Sequence, residues 1–136
     1  MRAEWNIDYA EAQRAIAAIV AEVARRGKAA VIAVADSHGE LIALARMDGA
    51  PISSLAIATN KALTAVRAGK PSFEVGQRVR DAEDGHDISY YGDPRFTGWG
   101  GGVPVLKDGQ IAGAVAVSGL PQEEDMEVVQ LGIAAV

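Results

Sequence analysis

The stretch Val103–Gly119, VPVLKDGQIAGAVAVSG, holds two apolar runs joined by Asp108-Gly109. A two-residue type I′ turn needs positive φ at both central positions, and Asp-Gly supplies that most readily. The stretch therefore reads as a β-hairpin. A second hairpin is legible upstream in AAVIAVADSHGELIALARM, residues 29–47, with its turn at Asp36-Ser37-His38-Gly39. Apolarity is nearly continuous in both of its arms, so either both sheet faces are covered or one face is an oligomer contact.

Helices fill the intervals. Asp8 with Glu11 forms an Asp version of the capping box, and Ile16, Ile19, Val20 and Val23 follow at helical spacing. Arg25-Arg26-Gly27 then gives a basic last turn and a glycine stop, so residues 8–26 read as an amphipathic helix. After the turn Asp48-Gly49-Ala50-Pro51, Ser53 or Ser54 is placed to cap a second helix running to Ala68 and closed by Gly69. Its small residues Ala56, Ala58, Ala62, Ala65 and Ala68 let another backbone approach, which puts this helix at the centre. Pro71-Ser72 opens a short third helix ending near Arg80. Pro121 leads into an acidic first turn, Glu123-Glu124-Asp125, suited to the positive end of a helix dipole. Met126, Val129, Ile133 and Val136 are the expected apolar stripe of that last helix. The order α-ββ-α-α-ββ-α gives one domain over residues 1–136: an α+β fold in which helices cover an antiparallel sheet of two hairpins.

Composition narrows the function. At 136 residues the chain is long enough for one sizeable core, and 49% apolar with 23% charged residues is ordinary globular usage. A net charge of −5 argues against nucleic-acid and anionic-membrane surfaces. The chain has no cysteine, which excludes disulfide and thiolate chemistry. The opening MRAEWNIDYAEAQ is polar, unlike a signal peptide, and no apolar run approaches a membrane span, so the cytoplasm is the expected compartment.

The segment DGHDISYYGDPRFTGWGGGVPV, Asp84–Val105, concentrates the scarce aromatic and titratable groups in a glycine-rich run with no helical period. Residues 81–99 accordingly read as a long functional loop. His86, set among Glu83, Asp84 and Asp87, is a candidate proton carrier or axial ligand; the alternative is a solvated loop imidazole. Its spacing matches no metal-binding pattern, and no metal site is assigned. His38 sits in a hairpin turn and reads as solvent-facing. Tyr90, Tyr91, Phe96 and Trp99 can stack on a flat ligand, pin the loop down, or fill a subunit contact. Gly98 to Gly102, interrupted only by Trp99, offers unobstructed backbone N–H groups for an anion, or close backbone approach.

Lys61 and Thr64 lie one turn apart on the second helix, with Ile57 on the same face. Lys61 reads as a carboxylate partner, an acid–base group, or a plain surface lysine. Arg46 and Asp48 read either as a pair fixing the turn or, for Arg46, as a carboxylate clamp.

The runs VADSHGELIALARMDGAP, KALTAV, GGVPV and GAVAVSGLPQEED resemble, in order and over nearly the whole chain, the GlcG/HbpS family of small haem-binding and haem-degrading domains. That module also forms the C-terminal domain of certain corrinoid adenosyltransferases. The resemblance implies a profilin-like sheet-and-helix fold, homo-oligomers, and haem as the candidate cofactor. It places the family's Lys-Ala element at Lys61 and borders the ligand cleft with Gly101 and Gly102. Residues 8–26 hold no histidine, the first hairpin turn carries Ser37-His38-Gly39, and the 81–99 loop is longer and more aromatic than the family's usual spacer.

Two functions stay open. One is an oligomeric accessory protein holding haem or another flat anionic ring between the 86–102 loop and the 54–68 helix. There Arg46, Lys61 and Thr64 would meet its polar edge, Tyr90, Tyr91 and Trp99 its plane, Gly101 and Gly102 its border, and His86 its metal. The other is a small cofactor-free lyase, isomerase or hydratase, with His86 moving a proton, Tyr90 donating to an oxyanion and Lys61 or Arg46 neutralising charge.

Overall fold

The Asp108-Gly109 turn forms as its sequence requires, with φ of +51° at Asp108 and +75° at Gly109. A computed structural model describes residues 1–136. In chain order the elements are α1 (Tyr9–Arg25), β1 (Val31–Ala35), β2 (Leu41–Arg46), α2 (Ser54–Ala68), α3 (Ser72–Val79), β3 (Gly102–Lys107), β4 (Gln110–Ser118) and α4 (Gln122–Ala135). Both hairpins and the helix order agree with the sequence reading. Within the 81–99 loop, Ile88–Tyr91 winds into a 3-10 turn capped by the Asp87 side chain.

All pairings are antiparallel, in the order β2-β1-β4-β3. The two hairpins thus meet through β1 and β4, and those central strands are buried on both faces. Side chains alternate across a strand, so each face has its own packing. On one face Ile32, Val34, Val115 and Val117 meet Ile16, Ile19 and Val23 of α1 and Val128 and Val129 of α4. On the other, Ala35, Ala114 and Ala116 meet Ala62 and Ala65 of α2, while Ala33 meets Ala58. Alanine against alanine brings α2 close to the sheet. This is what makes α2 central.

The α1 capping box forms as read, with Glu11 N–H donating to Asp8 and Asp8 N–H donating to Glu11. Three details differ from the sequence reading. No side-chain cap starts α2; Ser54 is buried and its Oγ lies 3.3 Å from Ser118 Oγ. The serine is taken by a partner across the fold. The buried stripe of α4 runs through Asp125, Val128, Val129 and Gly132, leaving Met126, Ile133 and Val136 half-buried. Gly132 belongs there because a Cβ would press into Ile19 of α1. Finally, β2 is half-exposed along its length, because it is an edge strand with no helix fully over it. No helix is long and apolar enough to cross a membrane.

Candidate functional site

α2 and α4 lie on opposite faces of the sheet, yet one ion pair joins them. Lys61 Nζ donates to Val117 O at 2.8 Å and to Asp125 Oδ2 at 3.1 Å. Asp125 Oδ1 accepts from Leu120 N at 3.2 Å. The two residues are 2% and 3% exposed. The passage between the faces exists because β3 begins without side chains. A Cβ on Gly101 would lie 3.0 Å from Lys61 Nζ and 2.6 Å from Val117 O, and one on Gly102 would overlap the Lys61 carbonyl. The two glycines therefore serve as a window for the lysine. Ser72 secures that edge, its Oγ accepting from Gly102 N at 3.0 Å.

Burial dominates the electrostatics of the pair. It pushes the Asp125 carboxyl up to about 6 against the pull of Lys61, and the neighbouring Glu124 charge adds to the rise. Burial likewise holds the Lys61 ammonium below its ordinary value, although Asp125 works the other way. A carboxyl with a raised folded pKa binds its proton more readily in the folded state. Stability from this group is therefore present below about pH 4 and is lost as pH rises towards about 6. Urea unfolding of wild type and Asp125→Asn from pH 4 to pH 7 checks this. The wild type should lose ground to the variant as pH rises, by up to about 1.4 kcal/mol per unit; a constant difference would contradict a raised carboxyl.

The pair lines a cleft of about 200 Å³ together with Ile57, Trp99, Ser118 and Gln122. Trp99 is 60% exposed and also walls a second cleft, of about 290 Å³, with Arg80, Asp87, Ile88 and Thr97. The segment bearing the indole is tied down at several points. Thr97 N–H donates to Thr64 Oγ1 at 3.0 Å, Arg67 of α2 pairs with Asp93 at 2.9 Å, and Gly100 N–H donates to Gln122 Oε1 at 2.9 Å. Residues 93–100 are thus held against α2 through Asp93 and Thr97 and against α4 through Gly100.

Lys61 and Trp99 come together in one cleft, Gly101 and Gly102 pack against Lys61, and Thr64 accepts from the Thr97 N–H two residues before Trp99. His86, Tyr90 and Tyr91 form a different group. The His86 ring stacks parallel to Tyr90 at 6.3 Å and meets Tyr91 edge-on at 5.3 Å, while Tyr91 stacks on Phe96 at 4.6 Å. His86 Nδ1 lies 3.0 Å from Asp87 O. Tyr90 is 80% exposed, and His86 lines neither Trp99 cleft. Arg46 is exposed at the end of β2, across β1 from Ser118, and makes no ion pair with Asp48. His38 is exposed as expected, with Nε2 3.1 Å from Glu4.

Asp125 and Gln122 are the residues that sequence reasoning missed. A usable signal was present: phased on Val128, Val129 and Gly132, the helical period places residue 125 in the buried stripe. The widest cleft, about 510 Å³, opens elsewhere, among Trp5, Ile7, Leu106 and Ile133, and has no buried charged side chain in its wall.

Comparison with known proteins agrees with this architecture. Protein GlcG of Escherichia coli strain K12 is 39% identical over 104 residues, which span 76% of this chain and 74% of GlcG. The crystal structure of Klebsiella pneumoniae protein ORFY superposes with a TM-score of 0.94 at 30% identity, covering 99% of this chain and 93% of that one. A crystal structure of a PduOC:heme complex superposes with a TM-score of 0.89 at 25% identity, covering 96% and 95% of the two chains. The model of the family described as "Haem degrading protein HbpS-like" matches residues 7–134. With nearly the whole chain inside that match and the fold shared, the chain belongs to this HbpS-like family.

Proposed function

We propose that the protein binds haem, or another flat anionic ring compound, across Trp99 between the 86–102 segment and α2. The observation that carries this reading is the exposed indole that lines two clefts, with Lys61 in the wall of one and Arg80 in the wall of the other. Each cleft alone is smaller than a usual ligand pocket, but a ring laid over the indole draws on both. Ile57 and Leu120 supply apolar wall, and Arg80 supplies a cation for a carboxylate. The donor set fits an anionic ring, and a relative of the same fold has been crystallised with heme.

The protein acts as a second copy's partner in this reading, within the cytoplasm. β2 is an edge strand paired on one side only, and Leu41 on it is 48% exposed, which suits a contact between copies.

Haemin titration followed by the Soret band tests the ring site. Trp99→Ala should raise the dissociation constant at least ten-fold, about 1.4 kcal/mol, while His86→Ala leaves it within two-fold. The opposite pattern would move the site to the His86, Tyr90 and Tyr91 group. The small acid–base enzyme is the second reading, and one observation favours it: the cleft contains a buried acid and base, Asp125 and Lys61.

A further inference from the structure

We propose that Lys61 and Asp125 are the catalytic proton-transfer pair for a small carbonyl-bearing carboxylate, such as a short 2-oxo acid, held in the cleft beside Trp99. The inference deepens the second reading above and rests on that cleft being open to ligand. It assigns the proton to Asp125, where the sequence alone pointed to His86.

Three observations converge. First, the ion pair is not enclosed on all sides: both residues line the same open cleft. Second, its hydrogen bonds are incomplete. Lys61 Nζ has three N–H donors, of which Val117 O and Asp125 Oδ2 take two. Gln122 uses its Oε1 to accept from Gly100 N–H, which leaves its amide nitrogen as a donor on the same wall. A carbonyl oxygen at Lys61 and a carboxylate at Gln122 are the partners these groups lack. Third, the size is right. Liquid water occupies about 30 Å³ per molecule, so a cleft of about 200 Å³ suits a compound of about six or seven non-hydrogen atoms.

The step balances within the protein and substrate. The Asp125 carboxylate takes a proton from the carbon next to the carbonyl. The C–H electron pair becomes the C–C π bond of an enolate, and the carbonyl π pair moves to oxygen, where the free Lys61 N–H donates to it. Return of the proton to that carbon, or to the enolate oxygen, restores the Asp125 carboxylate. Desolvation makes this carboxyl a better base than an exposed one and makes the ammonium a stronger partner for the developing oxyanion. Lys61 and Glu124 are the charged groups that act on Asp125.

The experiment is exchange of carbon-bound hydrogen in D₂O, read by proton NMR with pyruvate and 2-oxobutyrate as probes. The wild type should exchange their C3 protons at least ~100-fold faster than buffer alone at the same pH. The rate should rise between pH 5 and pH 7 as Asp125 loses its proton. The double variant Lys61→Met/Asp125→Asn, which leaves no lone buried charge, should fold and return the rate to that of buffer. Exchange at the buffer rate with both probes, or exchange that survives in the double variant, would overturn the proposal. Haemin titration of the same wild-type sample keeps the two readings apart. Ring binding without exchange ends this proposal alone, and exchange without ring binding ends the haem reading alone.

Discussion

Lys61→Met should lower stability by about 3–5 kcal/mol, the usual cost of breaking a buried ion pair from one side. The substitution leaves the Asp125 carboxyl 3% exposed with only the Leu120 N–H beside it, and removes the donor to Val117 O. At neutral pH the orphaned carboxylate must either stay charged while almost wholly buried or take up a proton, and both options favour the unfolded chain. The double variant Lys61→Met/Asp125→Asn should recover most of the loss. A neutral amide still accepts from Leu120 N–H through its oxygen, and no lone charge remains. Urea unfolding at pH 7 decides it. A single-variant cost below about 1 kcal/mol would mean that the pair behaves as a solvated surface bridge.

The second large effect belongs to the glycine window. Gly102→Ala should destabilise at or beyond the upper end of the about 1–3 kcal/mol typical of overpacking. Its Cβ would overlap the Lys61 carbonyl and lie 2.7 Å from the carbonyl carbon, so the obstacle is the backbone of α2. Neither β3, paired to β4, nor the helix can yield without breaking its own hydrogen bonds. Gly100→Ala is the internal control. The atoms met there belong to Met126 and Gln122, flexible side chains able to turn away, and the cost should be under half as large. Equal losses for the two would show that the window is not what limits this edge.

How much could be read beforehand depends on whether a signal was local. The Asp108-Gly109 turn, the Asp8/Glu11 box and the Gly27 and Gly69 stops each act within a few residues, and all four are where the sequence puts them. Residue Asp125 shows the opposite case. An acid in the first turn of α4 is already explained by the helix dipole, so nothing local demands a partner. Its actual partner is 64 positions away and reaches it only through a gap in another strand. Ser54 was misread for the same reason, since Ser118, not the helix start, takes its hydroxyl. The aromatic segment was legible as a loop without regular helix or strand period, but not in how its side chains divide. Trp99 faces the clefts while His86 turns to Tyr90 and Tyr91, a choice set by the Thr97–Thr64 and Asp93–Arg67 ties.

Titration of ¹⁵N-labelled protein with a diamagnetic metalloporphyrin tests the proposed ligand site at Trp99 most directly. The indole N–H of Trp99 and the amides of Gly100–Gly102 and Ser118–Leu120 should shift together and saturate. Shifts gathered instead around Trp5 and Leu106, or none at Trp99, would contradict it.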